Sequence, residues 1–198
     1  MLPFTREQFF GTFADYNTAV WPAQIVAHLL GLVVVAALLR PSVPGRRRVA
    51  VVLAGMWAWT GGVYHGLFFA RINPAALAFG ALFVVQGVLF FIAGVTSRRL
   101  VFGPSAGMTA MTGWALVVYA AVVYPLLGAW AGHEGPAQPT FGITPCPLTL
   151  FSFGVLLLTR SSVPGWLLII PLGWSLVGGS AAFLLGVPQD WPLLFSGL

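Results

Sequence analysis

The sequence predicts an all-α protein, an integral membrane bundle of six transmembrane helices preceded by an amphipathic interfacial helix. Three observations carry that expectation. Of the 198 residues, 59% are hydrophobic and only 7% are charged, against about 25% charged in soluble domains, and the mean hydropathy is +0.93. The apolar residues gather in long runs punctuated by Pro, Gly and Arg, each near the length that crosses about 30 Å of hydrocarbon. The arginines are spread unevenly between alternate connections. A water-soluble fold of this size has no interior large enough for that much apolar surface, so the lipid bilayer is the expected solvent and partner.

Taken in order, residues 1–18 read as an interfacial lead-in. Phe4, Phe9, Phe10 and Phe13 alternate with Arg6, Glu7, Gln8 and Asp15, as suits a helix lying in the membrane plane. Six spans are expected near 19–39, 49–70, 74–96, 108–130, 146–160 and 164–186, the fifth being short, and residues 187–198 read as an interfacial tail. The whole chain, 1–198, is expected to form one transmembrane domain. Pro22, Pro74 and Pro147 stand near the starts of the first, third and fifth spans, where a missing N–H is tolerated. Two similar turns, Arg40-Pro-Ser-Val-Pro-Gly45 and Arg160-Ser-Ser-Val-Pro-Gly165, each precede a Trp-x-x-x-Gly-Gly run at Trp57 and Trp174. These fit either three repeated hairpins or the independent recurrence of ordinary turn chemistry. Stripes of small residues mark expected helix contacts: Ala54, Ala58 and Gly61 in the second span, and Gly80, Gly87 and Gly94 in the third.

Seven of the nine arginines (Arg40, Arg46, Arg47, Arg48, Arg98, Arg99 and Arg160) fall in the connections after the first, third and fifth spans, and there is no lysine. Arg6, Arg71 and all four acids, Glu7, Asp15, Glu134 and Asp190, fall on the opposite side. The positive-inside rule then predicts the arginine-rich side in the cytoplasm and both termini outside. The calculated pI of 10.4 reports those membrane-face arginines and gives no reason to expect nucleic acid as a partner. The first residues lack the basic region and short apolar core of a cleavable signal, so the first span is expected to stay.

Several chemistries are excluded. No carboxylate lies inside a predicted span, which counts against a proton-driven carrier. The absence of lysine excludes a retinal Schiff base. There is no phosphate loop, no His-Glu-x-x-His and no Gly-x-Ser-x-Gly elbow. The single cysteine excludes an internal disulfide.

What remains is a polar set on the predicted outer side. Asn17, Trp21, Gln24 and His28 share a face by their spacing. Tyr64 and His65 lie about one turn below the outer end of the second span, Asn73 is in the next loop, and Tyr124 is in the outer half of the fourth span. His133, Glu134, Gln138 and Thr140 occupy the long outer loop, and His133 is expected to be solvated there. Cys146 stands between Pro145 and Pro147 at the start of a helix, where the unpaired N–H groups favour a thiolate. Its competing role is that of a small packing residue. The candidate outer pocket is therefore His28, His65, Cys146, Tyr64, Gln24, Asn73 and Tyr124. If His65, Cys146 and His28 converge, imidazole and thiolate suit a soft or borderline metal ion. The Pro-Cys-Pro run resembles the intramembrane metal-binding motif of heavy-metal pumping ATPases, whose phosphorylation and nucleotide domains find no counterpart here.

Four stretches resemble a family of small bacterial multi-pass membrane proteins of unassigned function. They are Tyr64-His65-x-x-Phe68-Phe69-x-x-Ile72-Asn73-Pro74, Tyr124-Pro125-Leu126-Leu127-Gly128, Pro139-Thr-Phe-Gly-x-x-Pro-Cys-Pro147 and Trp174-Ser-Leu-x-Gly-Gly-Ser-Ala-Ala-Phe183. The resemblance implies a bacterial plasma (inner) membrane and carries no activity. Three functions stand open: binding or transport of a small solute or soft metal ion through an outward-facing pocket; a thiol-dependent enzyme with Cys146 as nucleophile and His65 or His133 as base; and an accessory membrane subunit.

Overall fold

The computed structural model describes residues 2–103, 106–133 and 135–196. Glu134, counted above with the outer-side acids, lies outside the described residues. The chain is all-α. Among the described residues eight continuous helices follow one another: α1 (Arg6–Ala19), α2 (Ala23–Leu39), α3 (43–71), α4 (Ala76–Thr96), α5 (Met108–Trp130), α6 (Pro145–Leu157), α7 (Gly165–Leu184) and α8 (188–196). The six expected runs therefore correspond to α2 through α7, with ends displaced by a few residues.

The number of crossings does not follow. Among the described residues only α4, α5 and α7, at 21, 23 and 20 residues, are long and apolar enough to span a bilayer, with a fourth candidate if α1 and α2, bent by 84°, are counted as one. Six was too many for physical reasons that differ by helix. At 1.5 Å per residue, the 13 residues of α6 reach about 20 Å, short of a hydrocarbon core of about 30 Å. Every residue of α6 from Pro145 to Leu156 is buried, so its apolar character is that of a protein core. The Val43–Trp59 part of α3 carries Arg46, Arg47 and Arg48 near its start. It then passes into a π-helical stretch, Thr60–Phe68, that holds Thr60, Tyr64 and His65.

The start signals act as local chemistry requires. Thr5 caps α1 reciprocally with Gln8. The Ser42 side chain accepts from Gly45 N at 3.0 Å at the start of α3. Pro22, which has no N–H to extend the α1 ladder, sits at the break before α2.

Neighbouring helices pack antiparallel, with glycines at the closest approaches. A Cβ on Gly61 would stand 2.5 Å from the Gly80 carbonyl oxygen, and one on Gly87 would stand 2.7 Å from that of Ala54. The small-residue stripes of α3 and α4 are thus the seam between them. Gly154 of α6 meets the Gly113 carbonyl of α5 at 2.8 Å in the same sense. Trp57 Nε1 of α3 donates to Ser152 Oγ of α6 at 2.8 Å, and Gln86 Nε2 of α4 donates to Leu167 O of α7 at 2.9 Å. These pairings gather Arg40, Arg46–Arg48, Arg98, Arg99 and Arg160 at one end of the bundle. There the Phe102–Thr159 bridge ties two of the connections together. The other end is covered by α1 and α8, whose inner faces bury Phe9, Phe13, Tyr16 and Leu193.

Candidate functional site

The covered end holds a cavity of about 220 Å³. Its walls are largely aromatic: Phe4, Phe9 and Phe13 from the N-terminal region, Tyr64 and Phe69 from α3, Phe79 from α4 and Trp174 from α7. Cys146 lies on its inner wall and Asn73 on its rim. The rings are mutually ordered: Phe13 stacks on Tyr64 at 5.3 Å between centroids, and Tyr64 stacks on Phe69 at 5.8 Å.

Cys146 is held at the start of α6 by Pro145 and Pro147, with Gly178 of α7 opposite. A Cβ on Gly178 would be 3.3 Å from the sulfur and 2.6 Å from Trp174 Nε1, so only glycine lets the indole and the thiol approach. The Trp174 indole N–H, although buried, closes no hydrogen bond of ordinary geometry. Behind the thiol stands Asp190, 1% exposed. The Tyr124 hydroxyl donates to its Oδ1 at 2.6 Å, and Cys146 donates to the same carboxyl group. Burial, with no cation beside it, pushes Asp190 up to about 7, although the bonds from Tyr124 and Cys146 oppose the rise.

Asp190 is the functional candidate that the sequence concealed. The sequence reads 187–198 as an interfacial tail, whereas α8 folds back against the bundle and buries Asp190. Its Pro188-Gln189-Asp190 turn also buries Gln189, whose side-chain nitrogen and oxygen both lack a partner. The nearest sequence signal was Trp191-Pro192-Leu-Leu-Phe195, apolar enough to seat a short helix against others.

The remaining candidates divide. His65 is fully buried, and both ring nitrogens lack hydrogen-bond partners. Its ring lies 5.1 Å from that of Trp174 and 4.8 Å from that of Phe83. His28 is elsewhere. It is exposed, its Nδ1 is 2.8 Å from Gln24 O, and it lines a second cavity with Asn17, Trp21 and Gln24. Those four residues do line one cavity, against the 136–141 loop, but Asn17 lies on α1 and Gln24 and His28 on α2, across the 84° bend, so they share no single helical face. Cys146, Tyr64, Asn73, Tyr124 and His65 cluster at the first cavity or immediately behind it, and His28 and Gln24 do not join them. Among the described residues no group of three or more His, Cys, Asp or Glu side chains is placed to hold a metal ion. His133 corrects its expectation as a solvated loop residue. It is 8% exposed and stacked on Phe10 at 4.1 Å between centroids, and burial, with Arg6 nearby, lowers its pKa.

An all-α bundle with three long apolar helices, a fourth crossing available from the bent pair, and seven of its nine arginines collected at one end has the features of a multi-pass membrane protein. The chain belongs to the family of unknown function DUF6064, whose model matches residues 6–198. No curated protein and no solved structure matches it.

Proposed function

We propose that this protein binds a small apolar molecule in the aromatic cavity, where the Cys146 thiol and the Trp174 indole N–H offer it polar contacts. The observation that carries this reading is the cavity itself: about 220 Å³, walled by aromatic rings. An apolar cavity of about 150 Å³ stays dry and takes up benzene, so the volume suits a ring with a short alkyl chain. The indole N–H, beside the Cys146 sulfur but without a hydrogen bond of ordinary geometry, favours a ligand carrying one hydrogen-bond acceptor. In this reading the chain sits in a bacterial plasma membrane, the arginine end faces the cytoplasm, and the cavity with both ends of the chain faces out. A metal ion is the less favoured occupant, because His28 lines a different cavity from Cys146.

Cys146 is the sole cysteine, which gives a clean test. The full chain in lipid nanodiscs is treated with methyl methanethiosulfonate, and labelling is followed by intact mass. Saturating butylbenzene is expected to slow labelling at least tenfold, and Ala181→Phe, on the cavity wall, is expected to slow it without ligand. Equal rates with and without butylbenzene, or a thiol that never labels in the folded protein, would refute the reading.

A second reading, thiol chemistry, is favoured by one specific contact. Asp190 accepts the Cys146 hydrogen bond and so replaces His65 and His133 as the group placed to take the thiol proton. A pH profile of Cys146 alkylation that is unchanged by Asp190→Asn would dispose of it. The accessory-subunit reading needs a free stripe of small residues; Gly55 and Gly62 on α3 face open space, and no partner is indicated beyond that.

A further inference from the structure

At the arginine end, α2 and the start of α3 enclose a groove of about 630 Å³. Val33, Ala36 and Ala37 of α2 form an apolar wall, and Arg40, Ser42 and Arg48 form the rim. Both arginines are exposed, and among the described residues neither has an ion-pair partner. Glu7, Asp15 and Asp190 are at the opposite end of the bundle, so among the described residues no carboxylate competes for them. Arg46, in the first turn of the same helix, has a buried Nε without a hydrogen-bond partner. The Ser42 oxygen accepts from Gly45 N, which leaves its O–H, with the guanidinium groups, as a donor that a ligand would meet.

We propose that this groove is a binding site for an anionic phospholipid. The phosphodiester sits between Arg40 and Arg48, and an acyl chain runs along Val33, Ala36 and Ala37. The inference rests on the chain being a membrane protein and is independent of the aromatic cavity. Guanidinium groups recognise phosphate oxygens through paired hydrogen bonds. Basic pockets between helices at the membrane surface select anionic headgroups. The apolar wall decides between a lipid and a free anion: a phosphate ion has no use for three aliphatic side chains leading away from the charge, whereas a lipid tail does.

The test uses the full chain in a neutral detergent, with its thermal midpoint read after addition of phosphatidylglycerol, phosphatidylcholine of the same acyl chains, or sodium phosphate. Phosphatidylglycerol is expected to raise the midpoint by several degrees and the other two to leave it unchanged. Each arginine near an anionic headgroup contributes a factor of about five in affinity, so Arg40→Gln with Arg48→Gln is expected to weaken phosphatidylglycerol binding roughly 25-fold. Arg98→Gln with Arg99→Gln, at the same end but outside the groove, keeps the shift. Ala36→Trp fills the wall, leaves both arginines and abolishes the shift; it decides the matter if the double arginine variant does not melt cooperatively. Equal shifts from phosphatidylcholine, an undiminished shift in the groove variants, or a shift from sodium phosphate matching that from phosphatidylglycerol each overturn the proposal.

Discussion

The Tyr124 hydroxyl of α5 donates a 2.6 Å hydrogen bond to Oδ1 of Asp190, 66 residues later in the chain, and both groups are 1% exposed. This bond ties α8 to α5 at the base of the aromatic cavity. Removing one partner strands the other in a medium that cannot solvate it. Tyr124→Phe is expected to lower stability by about 1–3 kcal/mol, the range for an unpaired buried acceptor. Thermal melts in detergent check this. A melt within error of wild type would mean that water reaches Asp190.

Asp190 also sets a pH dependence. Its carboxyl group titrates near 7 in the fold, because burial disfavours the charge, and near 3.9 when exposed. Between those values the folded chain keeps a proton on Asp190 that the unfolded chain has released, so the contribution of Asp190 to stability falls as pH rises from about 4 to about 7 and is flat above. Asp190→Asn removes that slope and leaves a neutral group of the same shape. Melting midpoints of both proteins from pH 4 to 8 are the measurement. A slope unaltered in Asp190→Asn contradicts the assignment; the comparison is made between the two proteins because burial of His133, which lowers its pKa, contributes a slope of the opposite sign to both.

The seam between α3 and α4 predicts opposite responses at adjacent glycines. Gly61 has the Gly80 carbonyl oxygen 2.5 Å from where its Cβ would be, and Gly62 has nothing within 4 Å. Backbone cannot swing aside as a side-chain tip can. Gly61→Ala is therefore expected to force the helices apart and cost about 1–3 kcal/mol, as overpacking does. Gly62→Ala gains helix propensity of up to about 1 kcal/mol. Chemical denaturation of both variants settles the contrast.

Most helix positions were legible in the sequence because they are bounded by local chemistry: Pro22 before α2, and arginines beyond the ends of α2 and α4; the start of α3 was not, since residues 40–45 read as a turn whereas Ser42 caps a helix that begins at Val43. The seven-arginine asymmetry likewise survived folding. The crossing count was not legible, because hydropathy cannot distinguish a residue facing lipid from one facing protein. Phe151 and Leu150 of α6 are fully buried, whereas Leu126 of α5 is 64% exposed, and the two runs read alike. The same limit applied to the site. Asn17, Trp21, Gln24 and His28 do meet at one cavity, yet not through the helical spacing that suggested it, because the chain bends by 84° between α1 and α2. Asp190 was hidden because its burial depends on how α8 turns back against α5 and α6, a relation carried by no residue near it in sequence.

Asn17 offers a last test, on the loop that leads to Cys146. Its Nδ2 donates to Pro136 O at 2.7 Å and to Gln138 O at 2.8 Å, and its Oδ1 accepts from Thr140 Oγ1 at 2.8 Å. One amide on α1 thus holds a stretch that has little regular hydrogen bonding of its own. Asn17→Ala frees two carbonyls and a hydroxyl and is expected to cost about 2–3 kcal/mol, at roughly 1 kcal/mol for each bond. Asn17→Asp is the sharper variant. It keeps the acceptor for Thr140 but sets a carboxylate against two carbonyl oxygens, so it is expected to destabilise more than alanine despite matching the shape. Limited proteolysis reads the local effect: cleavage within 131–144 should accelerate in the order wild type, Asn17→Ala, Asn17→Asp. An aspartate variant as resistant as wild type would show that those carbonyls are satisfied by other partners.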